Sequence, residues 1–379
     1  MSYAPTAVSA PQRGLIESAR RGDEFAFQAI VEPHRRALHA HCYRMLGSVQ
    51  DAEDALQDTL LRAWRGLPRF EGRSSLRSWL YRIATNVCLK QIQRRSKRVL
   101  PVDYGTAADP HDGPGPPLAE STWLEPYTDS AHEADEGLAA PDARYEQRES
   151  IELAFVAALQ HLPPRQRAVL ILRDVFGFSA AEVGEALHAA PDAVHSILQR
   201  AHKAVHERLP ERSQQATLRS LGDEHLQRLV DGYVEAWEKG DVDAILAMLT
   251  DDAVLAMPPR PSWFQGREAV GAFLAAWPLA KDRRWRLVPT VANGQLAFTT
   301  YLWDRERGFY REQGIAVLTL AEDGRIRDLT AFHSRTERWI AGTSGISTRN
   351  GGSGRRIAKG DAWTRTAPQP VDRHDGFSP

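Results

Sequence analysis

The chain has 379 residues, more than one small hydrophobic core can organise, so two or three domains are expected. Its 42% hydrophobic and 26% charged residues are ordinary for a globular protein, and a net charge of −1 excludes a uniformly polybasic or polyacidic chain. Cys42 and Cys88 lie far apart without a CxxC pattern, which excludes a disulfide framework and a cysteine zinc site; neither a metal nor a cofactor is expected. No apolar run approaches the ~20 residues of a membrane span and no signal-peptide core opens the chain, so a cytoplasmic protein with no membrane partner is expected.

Residues 1–13 are rich in Ala, Ser and Pro and are expected to be disordered. From Gly14 to about Arg98 the apolar period is helical. Phe25, Ile30, Val31, Leu38, Cys42 and Met45 mark one or two helices, broken by Pro33 and ended near Gly47. Asp51 caps the next helix, whose Ala52, Leu56, Leu60, Ala63 and Trp64 form one stripe, and Gly66-Leu67-Pro68 stops it. A Gly/Ser loop flanked by Phe70 and Trp79 follows, and Ser75 or Ser78 opens the helices from Trp79 onward. Residues 62–98 hold eleven Lys or Arg against the single Glu71, a local net charge of +10 in a nearly neutral chain. A dense basic patch with aromatics beside it suits holding and unstacking a nucleic-acid strand.

Residues 101–145 change character. Prolines and glycines abound, and between Asp103 and Asp142 stand ten acidic residues and no Lys or Arg, the composition of a flexible, self-repelling linker. Trp123-Leu-Glu-Pro-Tyr127 is an apolar island inside it, and Trp123 and Tyr127 are expected to dock elsewhere on the chain.

The helical period returns over residues 146–211. Ser179 and Glu182 form a capping box, a turn covers His188 to Pro191, and Pro191 opens a second helix, the pattern of a helix-turn-helix. On that helix Val194, Leu198, Ala201 and Val205 face inward. Asp192, His195, Ser196, Gln199, Arg200 and Lys203 face out, with the right side-chain types for groove and phosphate contacts.

A third unit spans 222–340. Leu226, Leu229, Val230, Tyr233, Val234 and Trp237 make an amphipathic helix, and a short helix follows from Val242. Segments 253–257, 284–291, 295–303, 314–320 and 326–332 then read as strands, giving an α+β domain with a curved sheet on helices. Residues 341–379 are expected to be a disordered tail.

The order of these parts resembles the sigma-70 family of bacterial transcription initiation factors, in its small extracytoplasmic-function (ECF) branch. DAEDALQDTLLRAW is similar to that family's polymerase-gripping helix, and FEGRSSLRSWLYRIATN to its promoter-melting segment. The third unit is similar to SnoaL-like cones, which some members carry at the C-terminus. The resemblance implies a multidomain fold: a σ2-like helical bundle (14–100), the linker, a σ4-like helix-turn-helix (146–211) and an α+β SnoaL-like cone with a curved antiparallel sheet.

It also implies roles. Asp51, Asp54, Leu56, Asp58, Leu60 and Arg62 would dock on core RNA polymerase. Phe70, Arg73, Ser74 and Ser75 would capture a base flipped from the minus-ten element, at a cost of a few kcal/mol of unstacking. Asn86 would help to read that element, while Arg82, Lys90, Arg94 and Arg95 would hold phosphates. Trp79 and Tyr81 would stack on bases or brace the loop. The outward residues of the 191–209 helix would read the minus-thirty-five element, and the linker would thread the polymerase cleft or act as a solvated spacer.

Tyr233, Trp237, Trp263, Phe264, Trp303, Phe332 and His333 would line a cone cavity or serve as plain core. The expected partners are core RNA polymerase and promoter DNA, with an intramolecular contact between the third unit and σ2, σ4 or the linker; a separate anti-sigma factor is left open. No catalytic residue is expected. Two rivals stand: a bifunctional protein with an active SnoaL-like isomerase or hydrolase, and a repressor using its helix-turn-helix alone. The Asp-Gly-Gly-Gly-Lys turn and Asn-Pro-Asp-Lys-Leu tail of the best-known extended members are absent; the nearest feature is Asn350-Gly-Gly-Ser-Gly354.

Overall fold

A computed structural model describes residues 10–72, 74–119, 122–128, 150–281 and 283–333. The N-terminal body begins with α1 (Ala10–Arg20), four residues ahead of the expected ordered start, followed by α2 (Glu24–Leu46) and α3 (Val49–Gly66). After a loop comes α4 (Leu76–Ile92). Pro33 does not break α2. It removes one backbone bond and crowds the preceding turn, a cost of about 3 kcal/mol in an isolated helix. Twelve buried residues on α2, from Ala26 to Leu46, offset it. Asp23 accepts from the Ala26 N–H at its start, and left-handed Gly47 ends it. Phe25, expected inside, is 90% exposed, and Phe27 takes the core position against Trp64.

The helix-turn-helix unit comprises α5 (Leu153–His161), α6 (Pro164–Leu170) running into a π-helical turn at Ile171–Val175, α7 (Ala180–Leu187) and α8 (Pro191–His206). The Ser179–Glu182 capping box is complete, and His188 turns the chain in the left-handed region at φ 52°. One hydrophobic core runs through both helical units: Leu38, Cys42, Tyr81 and Cys88 share it with Val156, Leu159, Ile171 and Val194. Cys42 and Cys88, remote in sequence, are brought together there, and burial raises the Cys88 thiol well above its usual range.

The third unit is introduced by α9 (Gln214–Leu221), α10 (Asp223–Lys239) and α11 (Val242–Ala247). Its strands are β1 (Leu249–Ala256), β2 (Trp263–Gln265), β3 (Trp285–Ala292), β4 (Gln295–Asp304), β5 (Phe309–Leu320) and β6 (Ile326–His333), with α12 (Arg267–Ala276) between β2 and β3. The sheet order is β2-β1-β6-β5-β4-β3, antiparallel except for the β1–β6 pair. Strand β2 and helices α9 and α12 were not legible as elements; β2 has only three residues, too few to show a period.

The sheet is covered on both faces. Leu226, Tyr233, Trp237, Phe264, Phe298 and Leu318 fill one side against the helices. On the other, Ala292, Ala297, Ile315, Val317 and Phe332 pack on Leu153 of α5 and Leu100 at the end of the σ2-like unit. The third unit is therefore seated on the helical body.

Candidate functional site

Ser48 caps α3, accepting from the Asp51 N–H at 3.1 Å. Asp51 is not offered outward: its carboxylate pairs with Arg95 and, at 2.7 Å, with Arg98. Burial alone would raise its pKa, but the two guanidinium groups outweigh that and hold it below the usual carboxylate range. Leu56 is buried at 2% exposure and Leu60 is half-buried, so both belong to the core rather than to a docking face. The outward face of α3 holds Asp54, Gln57, Leu61, Arg62 and Arg65, with Arg62 on Asp58 at 2.9 Å. Leu61, 55% exposed, is the apolar member the sequence pattern missed, because it lies one position beyond the core stripe.

Phe70 is buried against Trp79, ring centres 5.0 Å apart, and Trp79 also lies under Gly66. Trp79 thus braces the loop. Ser75 caps α4, accepting from the Ser78 N–H at 3.0 Å, and Ser74 is half-buried. Arg73 lies outside the described residues. Asn86 and Lys90 on α4 and Arg94 just beyond its end are exposed, with Asn86 donating to the Arg82 carbonyl at 2.9 Å. Arg95 is diverted to Asp51. Tyr81 is buried, meeting Phe176 and Phe178 of the other helical unit, and has no face free for a base in this arrangement.

The first half of α4 is covered by α7. Ser78 Oγ donates to Glu182 at 2.8 Å, Arg82 pairs with Glu185 at 3.1 Å, and Arg77 donates to the Phe176 carbonyl at 2.8 Å while lying over the Phe178 ring. Two carboxylates thus meet the helix in positions that suit phosphates. By contrast, Asp192, His195, Ser196, Gln199, Arg200 and Lys203 are all exposed on one face of α8.

The linker docks at both described parts. Residues 105–118 lie along the β1–β2 loop: Ala108 N donates to the Trp263 carbonyl, Leu118 N to the Pro259 carbonyl, and Trp263 Nε1 to the Gly105 carbonyl, each at 2.8 Å. Trp123 and Tyr127 are 2% and 4% exposed. Between them Glu125 caps α3, accepting from Val49 N at 2.7 Å, and lies 3.6 Å from Arg98.

Of the expected cavity residues, Tyr233, Trp237 and Phe264 share the cone interior, where the Tyr233 and Trp237 rings stand 6.1 Å apart. Their Oη and Nε1 atoms are buried and, among the described residues, find no hydrogen-bond partner outside the pair. Trp263 holds the linker, Trp303 packs on Tyr310, and Phe332 faces the helical body. His333 is half-buried beside Arg260, and desolvation followed by that charge pushes its pKa down to about 4. A carboxylate partner of the kind a general base needs is not what surrounds it among the described residues.

The junction of all parts is Asn293, at the tip of the β3–β4 hairpin. Its Oδ1 accepts from Tyr127 N at 2.9 Å; its Nδ2 donates to Tyr43 Oη at 2.9 Å and to the Ile151 carbonyl at 2.8 Å. Nothing local in the sequence showed what Asn293 would touch.

Residues 30–98 match the Sigma-70 region 2 family, 152–205 match Sigma-70 region 4, and 230–329 match the SnoaL-like domain. Across 358 aligned residues the chain is 40% identical to ECF RNA polymerase sigma factor SigG of Mycobacterium tuberculosis, covering 89% of this chain and 91% of that one. The chain belongs to the ECF RNA polymerase sigma factors. ECF sigma factor SigW of Bacillus subtilis is 30% identical over 51% of this sigma factor and 94% of its own length. The crystal structure of Mycobacterium tuberculosis sigma factor SigJ shares the fold, with a TM-score of 0.50 and 20% identity over 81% of this chain and 96% of that one. This sigma factor is thus a promoter-directing subunit with a SnoaL-like domain appended. Among its described residues no helix is long and apolar enough to cross a membrane.

Proposed function

We propose that this sigma factor docks on the polymerase through the outward face of α3 (Asp54, Asp58, Leu61, Arg62) and opens promoter DNA with α4. It reads the minus-thirty-five element with the exposed face of α8. Asn86 and Lys90 of α4, with Arg94 just past its end, are available to a melted strand, with Asn86 suited to a base edge and the two cations to phosphates. Arg82 and Ser78 join them once α7 moves away. The SnoaL-like domain acts as a built-in regulator of that movement and carries no chemistry of its own.

The observation that carries this reading is the cover over α4: Glu182 and Glu185 occupy Ser78 and Arg82, where DNA phosphates would lie. A helix cannot hold both partners, so promoter opening requires the two helical units to separate. Run-off transcription with core polymerase is the test. Lys90→Glu with Arg94→Glu should abolish the transcript while polymerase association persists. A chain ending at Leu221 should alter the output, and identical transcription with and without residues 222–379 would end the regulatory part.

A further inference from the structure

We propose that Asn293 is the latch of the resting chain: one side-chain amide at the β3–β4 turn holds the σ2-like unit, the linker and the σ4-like unit in the closed arrangement. The inference rests on the regulatory reading above and gives it an atomic seat.

Asn293 and Gly294 both have positive φ, 54° and 63°, the backbone of a two-residue type I′ hairpin turn. Asparagine tolerates that conformation, and a sharp tip carries its amide into the space between the helical units. There it is 0% exposed. Each of its three contacts belongs to a different piece of the chain: Tyr43 on α2, Tyr127 in the linker and Ile151 at the entry to α5. Its backbone N–H also donates to the Tyr127 carbonyl at 2.6 Å.

The neighbouring residues extend the same grip. Gln295 Oε1 accepts from Leu153 N at 2.8 Å, Gln215 donates to the Gly294 carbonyl, and Glu152 accepts from Gln214 N at 3.0 Å and Gln215 N at 2.8 Å. The σ2-like unit through α2, the linker through Tyr127 and the σ4-like unit through Ile151 therefore converge on one hairpin tip.

The chemistry requires an amide. Tyr127 N needs an acceptor, while the Ile151 carbonyl needs a donor, and only a group with both satisfies them from one side chain. A carboxylate of the same shape keeps the acceptor and turns the donor into a second acceptor facing a carbonyl. The bonds are polar, so water replaces them on opening, and the closed state is favoured without being permanent.

The test uses the full chain and hydrogen–deuterium exchange, which reads local opening. Asn293→Asp should speed exchange of residues 76–92 and 122–128 by about tenfold, the loss of one to two buried hydrogen bonds, while the strands of the sheet stay protected. Unchanged exchange in those segments overturns the latch. If the sheet itself loses protection, Tyr43→Phe decides on residues 76–92 alone, because it removes the Asn293 bond from the σ2-like side and leaves the hairpin intact. Loss of the Tyr43 hydroxyl's own bond to the Glu125 carbonyl loosens residues 122–128 directly. Faster exchange of residues 76–92 in that variant supports the latch; unchanged exchange there overturns it. Run-off transcription separates the two proposals. Faster exchange with unaltered output keeps the latch and removes the regulatory reading, whereas unaltered exchange removes the latch even where truncation changes output.

Discussion

Arg82 on α4 lies 3.1 Å from Glu185 on α7, so a cation of the expected DNA-opening helix is paired with a carboxylate of the helix-turn-helix unit. The pair is partly exposed, and such pairs contribute about 1 kcal/mol or less. Glu185→Lys should therefore loosen α4 from α7 only several-fold in amide exchange, without shifting the thermal midpoint of the sheet. A loss of the whole fold in that variant would contradict the assignment of Glu185 to the contact.

Asp51 stands between Arg95 and Arg98, and Arg98 is 8% exposed. Asp51→Asn leaves a buried guanidinium with Glu125 as its remaining carboxylate, so a loss of about 3 kcal/mol is expected. Urea unfolding followed by far-ultraviolet dichroism measures it. An unchanged midpoint would mean that Asp51 is free for a partner, as the sequence pattern alone suggested.

Gly47 closes α2 with φ 71°, and a Cβ there would stand 2.5 Å from a methyl of Leu124, which is 1% exposed. Gly47→Ala adds left-handed strain of about 1 kcal/mol and pushes the linker from its seat. Limited proteolysis within residues 122–128 should become faster than in the parent chain. Equal cleavage rates would show that Leu124 is not held by this contact.

His41 is buried among Tyr81, Phe176, Thr85 and Arg44, and burial, then the Arg44 charge, pushes its pKa down to about 3. Above pH 6.5 both folded and unfolded forms are neutral and His41 contributes nothing to pH dependence. As pH falls below 6.5 the unfolded chain takes a proton that the folded chain refuses, so stability drops until the folded value is reached. At pH 5 that is about 2 kcal/mol. Thermal unfolding at pH 7 and pH 5 should show a smaller difference for His41→Gln than for the parent.

Lys90 in the last turn of α4 and Arg94 just beyond it are exposed. If each neutralises a phosphate, Lys90→Gln should weaken promoter binding across sequences and lower the salt slope by about one. A change in sequence preference without a change in slope would place Lys90 on a base instead.

The helical period of the first hundred residues, the Ser179–Glu182 capping box and the strand alternation after residue 250 were legible because each depends on neighbours within a turn or a pleat. Pro33 and Phe25 were misread for the same reason. A local rule assigned both, and packing along the rest of α2 overrode it. Asp51 and Arg95 looked like surface groups for two different partners, since forty-four positions of chain conceal that they face each other.

Local patterns in the sequence thus determined which segments are helices and strands, where charge collects, and the sigma-factor order of parts. Tertiary structure alone decided which of those charges face outward, that the acidic linker is seated, and that one asparagine on the last domain joins three distant segments. The physical reason is range: propensity and period act over a few residues, whereas burial and hydrogen-bond satisfaction are settled between groups that meet only after the chain has folded.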